Sequence, residues 1–353
     1  MSRFWSPIVE KLVPYTPGEQ PGQRNVIKLN TNENPYGPSP HALEAIRVAT
    51  GDGLRLYPDP AATDLRKAIA ATLGLDVDHV YAGNGSDEVL AHAFNAFFTG
   101  KDAIVFPDIT YSFYRTYCEL YSIQADKIPL DAAFRCNPQD YRRPCGGVVI
   151  ANPNAPTGIA MPLEDIARIA RQNPDVVVIV DEAYVDFGAE SAVSLVPRFE
   201  NLLVVQTFSK SRSLAGLRVG FAVAQPHLID ALQRVKDSFN SYPLGRLALA
   251  GAVAAWKDRE WFDRTRQLVM ADRDGTAKAL QDQGFDVLPS AANFLFASHQ
   301  KVPAEKLLRD LRARGILVRY FARDRIGNHL RISIGTTEEC AALLEATGSI
   351  VRE

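Results

Sequence analysis

Lys210 ends the run Leu202-Leu203-Val204-Val205-Gln206-Thr207-Phe208-Ser209-Lys210, and Arg212, Gly216, Arg218 and Gly220 follow it closely. An apolar, β-rich run thus delivers an amine onto a polar, glycine-containing loop, with a hydroxyl one residue before it. A lysine held at a strand end has limited reach and can be kept out of bulk water, which makes it a usable amine nucleophile. Taken singly, a loop lysine is most often solvated and inert, so a second feature has to support the chemistry.

That feature lies some thirty positions earlier. Val176-Val177-Val178-Ile179-Val180 is a continuous β-branched run, the pattern of a strand buried on both faces, and it leads directly into Asp181-Glu182-Ala183-Tyr184. A carboxylate at the mouth of such a strand is unfavourable unless a cation meets it. The ring nitrogen of pyridoxal 5'-phosphate is such a cation, and a Schiff-base lysine with an acidic partner for the pyridinium is the constellation this cofactor requires. An aspartate capping the next helix is the ordinary alternative for Asp181; pairing with Lys210 favours the cofactor.

Ala82-Gly83-Asn84-Gly85-Ser86-Asp87-Glu88 leads into an apolar helical stretch, Val89 to Phe98. Glycines permit close backbone approach, a helix N-terminus offers free N–H groups, and Ser86 adds a hydroxyl, a set suited to a phosphate monoester. The motif is not GxGxxG, so a dinucleotide and a dehydrogenase are not indicated. Ser209 and Arg218 can complete the phosphate shell. Tyr111 is a candidate to stack on the cofactor ring, the alternative being an ordinary core aromatic, and Tyr184 could bond the ring oxygen from the loop of Asp181. Arg331, between Leu330 and Ile332, and Arg323 in the neighbouring loop are candidates for a substrate anion. A structural salt bridge or an exposed strand face is the competing role for Arg331, and Arg319 and Arg325 are as available as Arg323.

The elements that must position these groups alternate. Strand-like runs at 79–81, 103–106, 147–150, 176–180, 202–205 and 219–223 are interleaved with helical stretches, which predicts an α/β fold with a largely parallel sheet and helices on both faces. Ligands gather at the carboxyl ends of such strands, where Asn152, Asp181 and Lys210 fall. Residues 1–38, rich in Pro, Gly, Asn and Gln, read as an irregular arm, 39–240 as a large cofactor-binding α/β domain, and 241–353 as a smaller C-terminal α+β domain. At 353 residues, with 46% hydrophobic and 23% charged residues and a net charge of -2, the chain has no basic field for nucleic acid or membrane. No signal-peptide pattern, transmembrane-length run, CxxC or HExxH spacing occurs, so the expectation is a cytoplasmic enzyme with no metal.

Taken together these motifs resemble the fold-type I pyridoxal-phosphate aminotransferases, the aspartate aminotransferase fold, and within them the histidinol-phosphate aminotransferases. The match runs through Leu29 to Pro38, Leu56-Tyr57-Pro58-Asp59, Gly83 to Glu88, Asn152 to Gly158, Asp181 to Tyr184, Thr207 to Lys210, Gly216 to Gly220, and Leu330 to Thr336. The resemblance implies that Lys210 carries the cofactor, Asp181 meets its ring nitrogen and Tyr184 its ring oxygen. It places Gly85, Ser86, Asp87, Ser209 and Arg218 around the phosphate. It implies a homodimer in which Tyr57 reaches the neighbouring subunit's cofactor phosphate and Tyr15 touches substrate, with Asn32 also at the substrate. The implied reaction moves the amino group of L-histidinol phosphate to 2-oxoglutarate, giving imidazole-acetol phosphate and L-glutamate, a step of histidine biosynthesis. The family often reads Asn-Asn-Pro-Thr-Gly where this chain has Asn154-Ala155-Pro156-Thr157-Gly158; Asn154 with a shifted backbone, or Tyr184 alone, then makes the ring-oxygen contact. A broad aromatic amino-acid aminotransferase, or a phosphothreonine-type decarboxylase, would carry the same cofactor motifs, because pocket shape decides substrate and reaction. A cofactor-binding transcription regulator would need a DNA-binding module that residues 1–38 do not supply.

Overall fold

The computed structural model describes residues 2–14, 18–20 and 26–353; Tyr15 lies outside the described residues. Strand β1 (Ile27–Leu29) is followed by a sheet of seven: β2 (Val80–Gly83), β3 (Ile104–Pro107), β4 (Ala125–Ile128), β5 (Gly147–Ala151), β6 (Val178–Asp181), β7 (Leu202–Thr207) and β8 (Gly220–Ala224). The order across this sheet is β2-β8-β7-β6-β5-β3-β4. Only β8 runs against its neighbours, pairing antiparallel with both β2 and β7. All other carboxyl ends therefore open on one edge.

The runs of Val and Ile explain why the middle strands sit where they do. Every residue of β5 and β6 is buried, because helices cover both faces and two separate apolar clusters flank the sheet. Burying each of Val178, Ile179 and Val180 contributes about 1.5–3 kcal/mol relative to exposure. Asp181 is the last paired residue of β6, opposite Ala151 and Val205, so its carboxylate is carried to the sheet edge by strand register.

A second sheet, ordered β1-β11-β12-β10-β9, contains β9 (Phe285–Val287), β10 (Phe294–His299), β11 (Ile316–Tyr320) and β12 (Leu330–Ser333). Two elements sit across the boundaries inferred from the sequence. The arm is not wholly irregular: Pro7–Lys11 is a short helix, and β1 pairs in parallel with β11, Ile27 opposite Ile316, because Ile27 and Leu29 alternate around Lys28 and Leu29 is buried. The helix Arg246–Lys257 packs against Pro40–Ala49 and Thr63–Leu73 of the large unit. We keep 39–240 and 241–353 as a proposal for the two units, with β1 and this helix as the exchanged pieces. Among the described residues no helix is long and apolar enough to cross a membrane, and no group of three or more His, Cys, Asp or Glu side chains could hold a metal ion.

Candidate active site

The carboxyl ends of β2, β5, β6 and β7, with the loop after β3, converge on a cavity of about 580 Å³. Its lining brings together Ser86, Asp87, Tyr111, Asp181, Tyr184, Ser209, Lys210, Arg218, Arg331 and Asn32, residues drawn from both sheets and the loops around them. A second cavity of about 420 Å³ adjoins it and shares Tyr111, Ala155, Arg319 and Arg331 with it.

Lys210 reaches the cavity just past β7. Its Nζ donates to the carbonyl of Thr31 at 3.2 Å and lies 5.6 Å from the centroid of the Tyr184 ring. The main chain at Lys210 is pinned from the other side by Asn34, whose Nδ2 donates to the carbonyls of Lys210 at 3.1 Å and Ser211 at 3.3 Å. The segment 30–34 thus holds both the backbone and the amine of the nucleophile.

Asp181 is buried at the sheet edge, accepting from the Tyr114 hydroxyl at 2.7 Å and from the backbone N–H of Ala183 at 3.3 Å. Burial dominates its protonation and pushes the carboxyl up to about 6, with the charge of Asp87 adding to the rise and Tyr114 opposing it. Glu182 is buried on the far side of the strand, accepting from Ser191, the N–H of Ala192 and Gln206, and burial pushes it up to about 7. Tyr114, which the sequence reading passed over for Tyr111, is therefore the positioning group for Asp181. We expect Tyr114→Phe to raise the Asp181 pKa further, by about one unit, since a hydrogen bond to a charged group is worth about 1.5–3 kcal/mol. Carboxyl titration by 13C NMR checks this, and an unchanged midpoint would contradict it.

At the start of the helix Gly85–Phe98 two glycines make room. A Cβ on Gly85, at φ +77°, would come within 2.4 Å of the Arg218 guanidinium, and one on Gly220 within 2.3 Å of the Ser86 nitrogen. Arg218, itself left-handed at φ 53°, donates to Ser209 Oγ at 3.3 Å and to Asp87 Oδ2 at 3.0 Å. Asp87 also accepts from the Tyr111 hydroxyl at 3.0 Å. The Asp87 carboxylate therefore holds Arg218 and Tyr111 in place, and what this helix start offers an anion is backbone N–H together with Ser86, Ser209 and Arg218. Thr207, whose hydroxyl donates to Ser209 Oγ at 3.0 Å, also lines the cavity.

The geometry places four further residues named from the sequence as follows. Asn154 does not line the cavity: its amide donates to the Ile109 carbonyl and Thr157 and accepts from Thr110, bonding that fixes the loop, while Ala155 faces the cavity instead. Asn152 is likewise structural, bonded through both amide atoms to the main chain of Met161. Asn32 lines the cavity, with its amide oxygen accepting from Ser333 at 2.8 Å and its amide nitrogen donating to Tyr184 Oη at 3.0 Å. Arg323 is exposed on the rim of the adjoining cavity; Arg319 stands directly across from Arg331 in the antiparallel pairing of β11 and β12 and lines both cavities with it. Phe321 lies under both guanidiniums, 5.7 Å from Arg319 and 5.6 Å from Arg331. Arg331 also donates to the Asn30 carbonyl at 3.0 Å. Opposed residues on adjacent strands share a face, so β11 and β12 turn two guanidiniums to the same side of the sheet. Tyr57 lies outside this chain's cavity; it is 79% exposed and stacked on Tyr242 with ring centroids 4.6 Å apart.

A family model for aminotransferase class I and II matches residues 24–346 of the chain. Histidinol-phosphate aminotransferase of Acetobacter pasteurianus is 58% identical over 351 residues, covering 99% of each protein. Histidinol-phosphate aminotransferase 1 of Bordetella parapertussis is 59% identical over 353 residues, again covering 99% of each. Among solved structures, histidinol-phosphate aminotransferase of Sinorhizobium meliloti in complex with pyridoxal-5'-phosphate superposes with a TM-score of 0.90 at 25% identity, covering 100% of this chain and 98% of that one. A mutant of Thermus thermophilus aspartate aminotransferase shares the fold, with a TM-score of 0.83 at 21% identity, covering 99% of this chain and 100% of its own.

Proposed function

Because this chain belongs to the aminotransferase class I and II family and has the aspartate aminotransferase fold, we propose that it transfers the amino group of L-histidinol phosphate to 2-oxoglutarate, with pyridoxal 5'-phosphate as cofactor. The observation that carries this reading is the placement of Arg319 and Arg331 as a cross-strand pair in the cavity that also holds Lys210 and Asp181. A donor with a phosphate ester and an acceptor with a carboxylate both need an anion clamp in reach of one nucleophile.

The residues fit the cofactor. A buried acid pushed up to about 6 at the cavity floor suits a cationic ring nitrogen, and Gly85 and Gly220 keep clear the volume that side chains would fill at the helix start. Lys210 would hold the group covalently, Asp181 would meet the ring nitrogen and Tyr184 the ring oxygen. The N–H groups at Ser86 and Asp87, with Ser209 and Arg218, would take the phosphate, and Tyr111 would lie against the ring. When bound, pyridoxal phosphate supplies an electron sink next to the substrate Cα. The chain supplies the rest. Asp181 presents a fixed negative charge whose partner relieves its burial. With the cofactor bound, Lys210 would be the base that removes the Cα proton and the acid that returns it two atoms along, beyond the substrate nitrogen, and the Thr31 carbonyl holds the lysine amine in range. Arg319 and Arg331 fix the distal anion, so that Cα faces the lysine.

We further propose a cytoplasmic setting and a homodimer, the homodimer supported by exposed Leu54, Leu56, Tyr57, Phe239 and Tyr242, with Tyr57 serving the neighbouring subunit. The anion clamp is tested by kinetics. Arg319→Met is expected to raise KM for both L-histidinol phosphate and 2-oxoglutarate by about 10–100-fold with a smaller change in kcat, the loss of one charge-assisted contact. Arg323→Met is expected to change either by less than about threefold. A larger effect at Arg323 would contradict the assignment.

A further inference from the structure

Asn32 has an unusual set of partners for a loop residue. It is 1% exposed and left-handed, at φ 57°. Its backbone N–H donates to Ser333 Oγ at 2.8 Å, its carbonyl accepts from Asn293 Nδ2 at 2.9 Å, and its side chain joins Ser333 to Tyr184. Four hydrogen bonds hold one asparagine in a backbone region that disfavours most side chains, which points to a required orientation rather than a passive turn.

The hydrogens can be assigned one at a time. Ser333 Oγ already accepts from the Asn32 N–H, so its own hydrogen goes to Asn32 Oδ1. That turns the amide nitrogen toward Tyr184, whose oxygen accepts the N–H. A phenol that accepts there keeps its own hydrogen for another partner. With the amide reversed, Tyr184 would give its hydrogen to Asn32 and present only lone pairs to the cavity. On the apolar side Tyr184 meets Ala155 and Phe294, so the hydroxyl finds no amide at position 155.

Resting on the cofactor reading above, we infer that Asn32, oriented by Ser333, makes Tyr184 a hydrogen-bond donor toward the ring oxygen of the bound cofactor. Asn32 and Ser333 are positioning residues: they act through Tyr184. A donor at that oxygen spreads its negative charge. Without it the oxygen is more basic, and the proton shared with the Lys210 nitrogen is retained to higher pH.

The test uses the visible absorption of purified, cofactor-loaded protein titrated with pH. Asn32→Asp places a carboxylate where the amide nitrogen was, and the carboxylate takes the Tyr184 hydrogen. The midpoint pH is expected to rise by about one unit. Ser333→Ala, which frees the amide to reverse, is expected to shift the midpoint the same way by less, and Ser333→Thr, which keeps the hydroxyl, is expected to restore it. In a Tyr184→Phe background Ser333→Ala, which adds no charge, is expected to add nothing, since both remove one interaction. A midpoint unmoved in both Asn32→Asp and Ser333→Ala, or a Ser333→Ala shift that persists in Tyr184→Phe, overturns the inference. Should Asn32→Asp fail to fold, the Ser333 pair carries the test alone. Absence of any visible absorption in the unmodified protein would instead overturn the cofactor reading itself, a result distinguishable from failure of the Asn32 relay.

Discussion

Lys210→Ala is expected to lower kcat by about 10⁴-fold or more, the largest effect of any single substitution in this chain. One amine performs two tasks: it attaches the cofactor, and after displacement it carries the Cα proton. No other lysine among the described residues lines the cavity. Lys210→Arg separates the tasks from the charge. A guanidinium retains the positive charge but stays protonated and is neither a nucleophile nor a base. Its activity is expected to fall as far as that of the alanine variant, measured as glutamate formed from L-histidinol phosphate and 2-oxoglutarate. Retention of more than about one part in a hundred in Lys210→Arg would show that charge alone suffices, against the proposal.

Asp181→Asn is expected to act on activity and stability in opposite directions. In the cofactor-free protein the Asp181 carboxyl is raised from its ordinary value of 3.8 to about 6, first by burial. The folded chain then holds this proton more tightly than the unfolded chain. The resulting stabilisation is present in full below pH 3.8 and is lost as pH rises through about 6, where the carboxylate is ionised in a buried site. The gap between 3.8 and about 6 corresponds to an upper bound of about 3 kcal/mol. The asparagine variant escapes this loss, so without cofactor it is expected to melt above the unmodified protein at pH 8, with the difference closing below pH 4. Glu182, raised to about 7, is common to both proteins and cancels in the comparison. With cofactor the order reverses: removing the fixed charge is expected to lower kcat by about 10³-fold, the scale of losing one preorganised electrostatic contact. Equal melting temperatures across the whole pH range would contradict the burial account of Asp181.

Much of the fold is legible in the sequence because the inner strands are buried on both faces. Val178 to Val180 and Leu202 to Val205 carry uninterrupted apolar runs, and a buried parallel sheet demands such runs. Edge strands obey weaker rules. β4, Ala125–Ile128, carries Asp126 and Lys127 toward solvent and shows no periodic signal, and β1 is three residues long inside a segment rich in Pro and Asn. The site was legible where chemistry and strand end coincide, as at Asp181 and Lys210. It was not legible where the decisive fact is cross-strand register. Arg319 and Arg323 are equivalent on paper, and only the pairing of Arg319 with Arg331 separates them. Asn32 presents the same difficulty, since its partners Tyr184, Asn293 and Ser333 are remote in the chain. Asn154 attracted attention by lying in a motif, yet its bonds to Thr110, Ile109 and Thr157 leave Ala155 at the cavity wall.

Amino transfer from L-histidinol phosphate can be followed as a half-reaction in one cuvette. Purified protein with bound pyridoxal phosphate is mixed with L-histidinol phosphate, separately with L-phenylalanine, and the visible absorption is followed before and after adding 2-oxoglutarate. L-histidinol phosphate is expected to bleach the band at low concentration, 2-oxoglutarate to restore it, and L-phenylalanine to bleach it only weakly. Bleaching by L-phenylalanine as readily as by L-histidinol phosphate, or a band that Lys210→Ala leaves unchanged, would contradict the proposed function.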